Sequence, residues 1–130
     1  MPETISVRTS KRIEMVDITF SVQQQIENAG LEDGICTVFV PHTTAGVTIN
    51  EGADPDVCID IVGKLNELAP PDDGYRHREG NSDSHIKASL VGSSVSVIIE
   101  KGRLVLGTWQ KIFFCEFDGP RSRKVYVKAG

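Results

Sequence analysis

The three histidines are the side chains of this 130-residue sequence best suited to metal ligation or proton transfer near neutral pH. His42 opens the run His42-Thr43-Thr44, directly after Pro41. His77 and His85 bracket a second polar run that contains Glu79, Asn81 and Asp83. None sits in an aliphatic stretch, where a core histidine is normally found, so the three are expected to meet in one polar site. Several readings of them stay open. His42, His77 and His85 could hold zinc or a similar ion, although their spacing matches no standard zinc signature. They could instead act on a bound substrate, hydrogen-bonding its phosphate and carrying protons. They could also be ordinary surface histidines.

Other residues suggest a substrate. Thr43, Thr44, Asn50 and Asn81 offer hydroxyls and amides. Glu51 follows Asn50 at the end of an apolar stretch with no local structural reason to be there, so it joins the histidines as a candidate for acid–base work or metal contact. Asp54 precedes Pro55 and reads first as a helix cap. In Gly107-Thr108-Trp109-Gln110, Trp109 could stack on a flat ring while Gln110 reads its edge; the same tryptophan would also suit a core or a subunit contact. Arg121 and Arg123 alternate, so on a strand they would share a face and could clamp a phosphate or carboxylate. An ordinary solvated edge strand is the other reading of that pair. No Gly-x-Ser-x-Gly elbow and no phosphate-binding loop ending in Lys-Ser/Thr occurs in the sequence.

The elements that must position these residues follow from periodicity. Ile5 and Val7, then Ile13 and Met15, read as two short strands around a polar turn. Val22, Ile26 and Ala29 mark a helix capped by Asp17 or Thr19 and stopped by Gly30. A strand over Ile35–Val40 ends at Pro41, and Val47-Thr48-Ile49 alternates as the next. Asp54-Pro55 starts a helix with Ile61, Leu65 and Leu68 on one face, ended by Pro70-Pro71. Residues 69–81 form a long loop of the kind that carries function. A short helix from Ser82 to Leu90, capped by Ser82, closes at Gly92. Strands then cover Val95–Ile99, Leu104–Leu106, Ile112–Phe117 and Val125–Val127. The spacing of the turns favours antiparallel pairing, which gives an α+β fold: a largely antiparallel sheet with two or three helices in a single compact domain over residues 1–130.

Composition narrows the classes. The chain is 39% hydrophobic and 25% charged, with a net charge of −4, which suits a globular domain and not a disordered one. A mildly acidic chain whose only basic concentration is Arg121-Ser122-Arg123-Lys124 is a poor match for nucleic acid. Cys36, Cys58 and Cys115 lie in apolar stretches without CxxC spacing, as expected of reduced, buried thiols. No signal peptide and no apolar run of ~18–20 residues is evident, so a soluble cytoplasmic protein without membrane contact is expected.

His42-Thr43-Thr44-Ala45-Gly46-Val47-Thr48-Ile49-Asn50-Glu51 with Asp54, the stretch from His77 through His85 to Ser89, and Lys101-Gly102-Arg103 with Gly107-Thr108-Trp109-Gln110 together resemble the YjbQ family, also called UPF0047. Its members are often named secondary thiamine-phosphate synthase enzymes. The resemblance runs from about residue 4 to residue 128. It implies a compact α+β subunit that forms a homotrimer, with the three histidines in a polar pocket. It also implies thiamine-phosphate synthase activity as a secondary reaction, in which a thiazole phosphate attacks the methylene of a pyrimidine that carries a diphosphate leaving group. Fitted to that reaction, the three histidines, or Glu51 with Asp54, would hold a metal, and Mg²⁺ would accompany the diphosphate. Arg121 and Arg123 would clamp a phosphate, Trp109 would stack on the pyrimidine, and His77 or His85 would manage protons. The expected function is therefore a small metal-dependent enzyme acting on a phosphorylated or heterocyclic metabolite. The alternatives are a non-catalytic metabolite- or metal-binding trimer and a purely structural one.

Overall fold

Every strand pairing among the described residues is antiparallel. The structure is a computed structural model that describes residues 2–130. In chain order, the elements are β1 (Glu3–Arg8), β2 (Glu14–Asp17), α1 (Thr19–Ala29), β3 (Gly34–Phe39), β4 (Ala45–Glu51), α2 (Pro55–Leu68), α3 (Ser82–Val91), β5 (Ser94–Glu100), β6 (Arg103–Leu104), β7 (Gln110–Glu116) and β8 (Ser122–Ala129). They build two sheets, one ordered β1-β8-β3-β5-β6 and the other β2-β7-β4. The α+β class, the antiparallel pairing and three helices agree with the sequence reading. The single expected sheet is two. β1 and β2 do not pair with each other, because β1 joins β8 and β2 joins β7.

The period of two along each strand sorts side chains between layers. On β8, Val125 and Val127 face inward, while Lys124 just before them and Lys128 just after them are exposed. β7 is covered on both faces. Ile112 and Phe114 join Val38, Val97, Val125 and the α1 residues Val22 and Ile26 in the main core, which lies between the two sheets. Phe113 and Cys115 point the other way and pack with Phe117, Ala88 of α3, and Cys58 and Leu65 of α2. Full burial of side chains such as Val22 and Ile26 stabilises the fold by about 1.5–3 kcal/mol each.

The helix ends show which local signals dominate. Asp54 caps α2 as expected, accepting the Asp56 amide at 2.9 Å ahead of Pro55. Gly30 ends α1 with φ 66°, the left-handed conformation that glycine adopts without a steric penalty. At the start of α1 the cap position is Ile18, which offers no side-chain bond. Asp17 accepts the Thr19 amide at 2.9 Å, and the Thr19 hydroxyl accepts the Ile112 amide at 2.8 Å, tying the helix to β7. For α3 the cap position is Asn81, not Ser82.

α3 is unusual in burying its polar face. Asp83, Ser84 and Lys87 are buried, whereas Ile86 and Leu90 are exposed. Asp83 accepts the Lys87 ammonium at 2.7 Å and both terminal nitrogens of Arg12 at 3.0 and 3.2 Å. Burial alone would raise the Asp83 pKa; the bonds from Arg12 and Lys87 outweigh it and hold the carboxyl below its ordinary value. The three cysteines are free thiols. Cys36 and Cys115 are buried as expected, and burial pushes their pKa values up to about 11 and about 12. Cys58 is only half-buried, because α2 buries no residue completely. Among the described residues, no helix is long and apolar enough to cross a membrane.

Candidate functional site

The site gathers at one end of the two sheets, where three chain segments meet. Pro41–Thr44 links β3 to β4, the long loop delivers His77, and the first turn of α3 delivers His85. Gly46 permits the approach of α3 to β4. A Cβ there would lie 2.5 Å from the Gly92 carbonyl oxygen, and that same carbonyl accepts the Val47 amide at 3.1 Å. A larger residue at position 46 would push the helix carrying His85 away from the strand that follows His42.

His42, His77 and His85 line one open cavity of about 540 Å³. Thr43, Thr44, Asn81, Arg121 and Arg123 line it too, so eight of the residues singled out from sequence come together. An adjoining hollow of about 500 Å³ shares His42 and His85, and another of about 420 Å³ shares His77 and His85 and adds Tyr75. These volumes lie within the range of small-molecule sites, roughly 300–1,000 Å³.

The cavity wall is anchored by a buried ion pair. Arg123 donates through Nε to Glu116 Oε1 at 2.9 Å and through Nη2 to Glu116 Oε2. The same Nη2 donates to the Thr44 hydroxyl at 2.9 Å. Glu116 also accepts the Thr9 hydroxyl at 2.8 Å and the Asp118 amide at 3.1 Å. Burial would raise the Glu116 pKa; the bonds from Arg123, Asp118 and Thr9 prevail and hold it below the ordinary glutamate value. One residue along β8, the Lys124 amide donates to His42 Nε2 at 3.0 Å. That bond places the proton of the neutral ring on Nδ1. Burial, and then the charge of Arg123, lowers the His42 pKa below the usual imidazole value, so the ring is neutral at pH 7.

The other two imidazoles are less committed. Their rings meet edge to face, with centroids 5.5 Å apart and planes at 88°. Glu79 Oε2 lies 3.9 Å from His77 Nε2, too far for a hydrogen bond. Among the described residues, neither ring makes a hydrogen bond with the protein. Asn81 donates to Asp118 Oδ2 at 2.9 Å, and Asp118 also receives Arg121 Nη2 at 3.0 Å. The buried Asn81 Oδ1 has no partner and is left as an acceptor. Flipping this amide would set its oxygen against the Asp118 carboxylate, so the orientation is fixed by the network.

Four expected residues lie elsewhere. Asn50 and Glu51 are at the far end of β4, paired with Lys111 and Gln110 of β7. Five and six residue steps of extended chain from Ala45, beside the His42 segment, place them roughly 17 and 20 Å along β4. Trp109 is exposed, and Gln110 folds back to accept the Gly107 amide at 2.7 Å. The expected arginine clamp also changes form. Arg121 precedes β8, which starts at Ser122, so it does not share a strand face with buried Arg123. Each guanidinium is instead held by its own carboxylate. Among the described residues, no group of three or more His, Cys, Asp or Glu side chains stands at metal-binding separation. Ligation through either His42 nitrogen would also cost the Lys124 bond, since coordination at Nδ1 requires the proton on Nε2. In this geometry the three histidines do not fit a zinc ligand set. Glu79, which lies in the expected polar run, and Glu116 and Asp118, close neighbours of Arg121 and Arg123 in the chain, were given no role in the site from sequence. Thr9 carried no usable signal, since its partner Glu116 is 107 residues away.

The profile of the UPF0047 protein YjbQ-like family matches residues 3–130. The chain is 50% identical over 129 residues to UPF0047 protein YugU of Bacillus subtilis, covering 98% of both proteins. It is 55% identical over 122 residues to a UPF0047 protein of Methanocaldococcus jannaschii, covering 94% of this chain and 88% of that one. The crystal structure of an uncharacterized conserved protein of the YjbQ/UPF0047 family from Clostridium acetobutylicum superposes with a TM-score of 0.97 at 54% identity, covering 98% of this chain and 99% of that one. A YbjQ-like protein of unknown function from Sulfolobus solfataricus gives 0.94 at 36% identity, covering 99% and 95%. On the extent of these matches, the chain belongs to the YjbQ/UPF0047 family.

Proposed function

We propose that the histidine cavity is the active site of a small enzyme that acts on a phosphorylated metabolite by acid–base chemistry. The observation that carries this reading is that His77 and His85, two imidazoles without hydrogen-bond partners, share a polar cavity with a third that is held neutral. A structural histidine spends its ring nitrogens on protein partners, as His42 Nε2 does with Lys124. A catalytic one keeps a nitrogen for the substrate. In this scheme His42 donates its Nδ1–H to a substrate oxygen, and His85 and His77 exchange protons with the reacting group. Arg121 and Arg123 offset anionic charge, and Asn81 Oδ1 receives a substrate N–H or O–H.

Thiamine-phosphate synthase chemistry is one reaction within this class, with Mg²⁺ arriving on the diphosphate as part of the substrate. Trp109 stands outside the cavity, so the flat ring of such a substrate would lie against Tyr75 and the histidine edges instead. We also read the outer face of the five-stranded sheet as the self-association surface of the expected homotrimer. Ile35 and Ile98 are paired across β3 and β5 and are 54% and 63% exposed, with Phe39 and Val105 exposed on neighbouring positions.

The test is a turnover screen of phosphate esters and diphosphates with wild-type protein and the His85→Asn and His77→Asn variants. Loss of one proton carrier should lower kcat/KM by roughly 10²–10⁴-fold while the fold is retained. A turned-over substrate whose rate is unchanged in both variants would place the chemistry elsewhere.

A further inference from the structure

The motif residues that miss the histidine cavity build a different feature. At the far end of β4 and β7, a hollow of about 470 Å³ lies between the start of α1 and the chain running from β6 into β7. Leu104 and Leu106 give it apolar surface, and Phe20, 75% exposed, stands at the rim. Two cations line it, Arg103 and Lys111, with Asp17 as the one carboxylate. Asp17 already accepts the Thr19 amide. Arg103 has only a distant partner, Glu27 at 4.0 Å. Among the described residues, the Lys111 ammonium has no hydrogen-bond or ion-pair partner.

Two observations indicate that the hollow is built and not incidental. Gln23 spans it from α1, donating to the Gly102 carbonyl and accepting the Leu104 amide, both at 3.0 Å, which fixes the β5–β6 turn. Lys111 is positioned through a glycine. A Cβ at Gly52 would lie 2.1 Å from Lys111 Cγ and 2.9 Å from its Cβ, so the lysine stem crosses the backbone where only glycine leaves room. The stem is stiff so close to the main chain, and a side chain at position 52 would displace it. Glu51-Gly52 and Trp109-Gln110-Lys111 are joined by the bond from the Gly52 amide to the Trp109 carbonyl at 2.9 Å. The two motifs that contribute nothing to the histidine cavity thus act together to set Lys111.

We propose that this hollow is a second ligand site, which takes an anionic aromatic molecule: a planar ring carrying a phosphate or carboxylate. The ring lies between Phe20 and the two leucines, where it loses apolar contact with water. The anionic group reaches Arg103 and Lys111, of which the first has only Glu27 at 4.0 Å and the second has no ion-pair partner among the described residues. Asp17 opposes any anion, so one without the apolar contacts of a ring binds weakly, and it accepts a ring hydroxyl or N–H where one is present.

Phenyl phosphate is a suitable probe, with inorganic phosphate and phenol as its two halves. Each is titrated into ¹⁵N-labelled protein and followed by amide chemical shifts. Phenyl phosphate should cause saturable shifts over residues 17–23 and 103–111, at lower concentration than either half. Lys111→Met should weaken this binding by about threefold to fivefold, as expected for one exposed charge contact. Gly52→Ala, which keeps the charge and moves the lysine, should weaken it similarly, and His85→Asn should leave it unchanged. Shifts confined to residues 41–44 and 77–85, or an unchanged affinity in folded Lys111→Met, would overturn the proposal.

Discussion

Replacing Glu116 with Gln keeps its shape and removes the charge that organises the wall of the histidine cavity. The Glu116 side chain is completely buried and Arg123 is 3% exposed, so no water can replace the lost partner. Arg123 would be left as a buried guanidinium with the Thr44 hydroxyl and carbonyl and one amide oxygen as neutral acceptors. Removing one partner of such a pair costs about 3–5 kcal/mol, because the surviving charge stays desolvated. That is a large share of the roughly 5–15 kcal/mol that stabilises a domain of this size. By the usual scaling, the melting temperature should fall by roughly 10–20 °C. Urea unfolding with parallel fluorescence and circular dichroism would measure the change directly. The paired replacement Glu116→Leu with Arg123→Met should recover much of the loss, since it leaves no buried charge. The wild-type pair also predicts an acid limit. The folded pKa of Glu116 is depressed, so its stabilisation is present above the unfolded glutamate value, about 4.3, and is lost as pH falls through the lower folded value. A Glu116→Gln cost below about 1 kcal/mol, with the His42 segment unperturbed, would refute the view that this pair holds the wall in place.

Lys87→Met should cost about 2–3 kcal/mol in urea unfolding, below the full cost of breaking a buried pair because Asp83 keeps Arg12. Imidazole titration by NMR should find His42 neutral to a lower pH than free histidine, protonated on Nδ1; its depressed pKa adds stability above the unfolded value near 6.5 that disappears as pH falls through the folded one. If the proposed homotrimer forms through the outer sheet face, Ile35→Asp combined with Ile98→Asp should lower the mass seen in analytical ultracentrifugation with the monomer still folded, whereas a wild-type trimer whose mass is unchanged by the pair would move the contact off this face.

Local chemistry made a good part of this fold legible in the sequence. Asp54-Pro55, Gly30 and the period-two runs of β3, β5 and β8 are short-range signals, and each predicts its element because the deciding interactions lie within a few residues. The histidines were legible for a similar reason: small polar neighbours mark them as non-core wherever the chain takes them. Long-range pairing decided the rest. Nothing near Arg8 or Glu14 says that one pairs with Ser122 and the other with Glu116, so the split into two sheets was hidden. Asn50 and Glu51 looked like partners of His42 because the six steps of β4 from Ala45 to Glu51 separate little in sequence. An extended strand converts those six steps into the length of the molecule. Arg121 and Arg123 alternate as a shared-face pair must, but β8 begins between them. α3 was legible as a helix, yet its buried face is the polar one, since Arg12 arrives from a segment 71 residues earlier to meet Asp83.

The most direct test of the histidine cavity as a working site is a titration of ¹⁵N-labelled wild-type protein with diphosphate, followed by amide and imidazole shifts. Saturable changes are expected at residues 41–44, 77–85 and 118–124, with the His77 and His85 rings shifting alongside the amides and the response weakened in Arg121→Gln. No saturable response at these residues, or one that leaves both rings unmoved, would contradict that role.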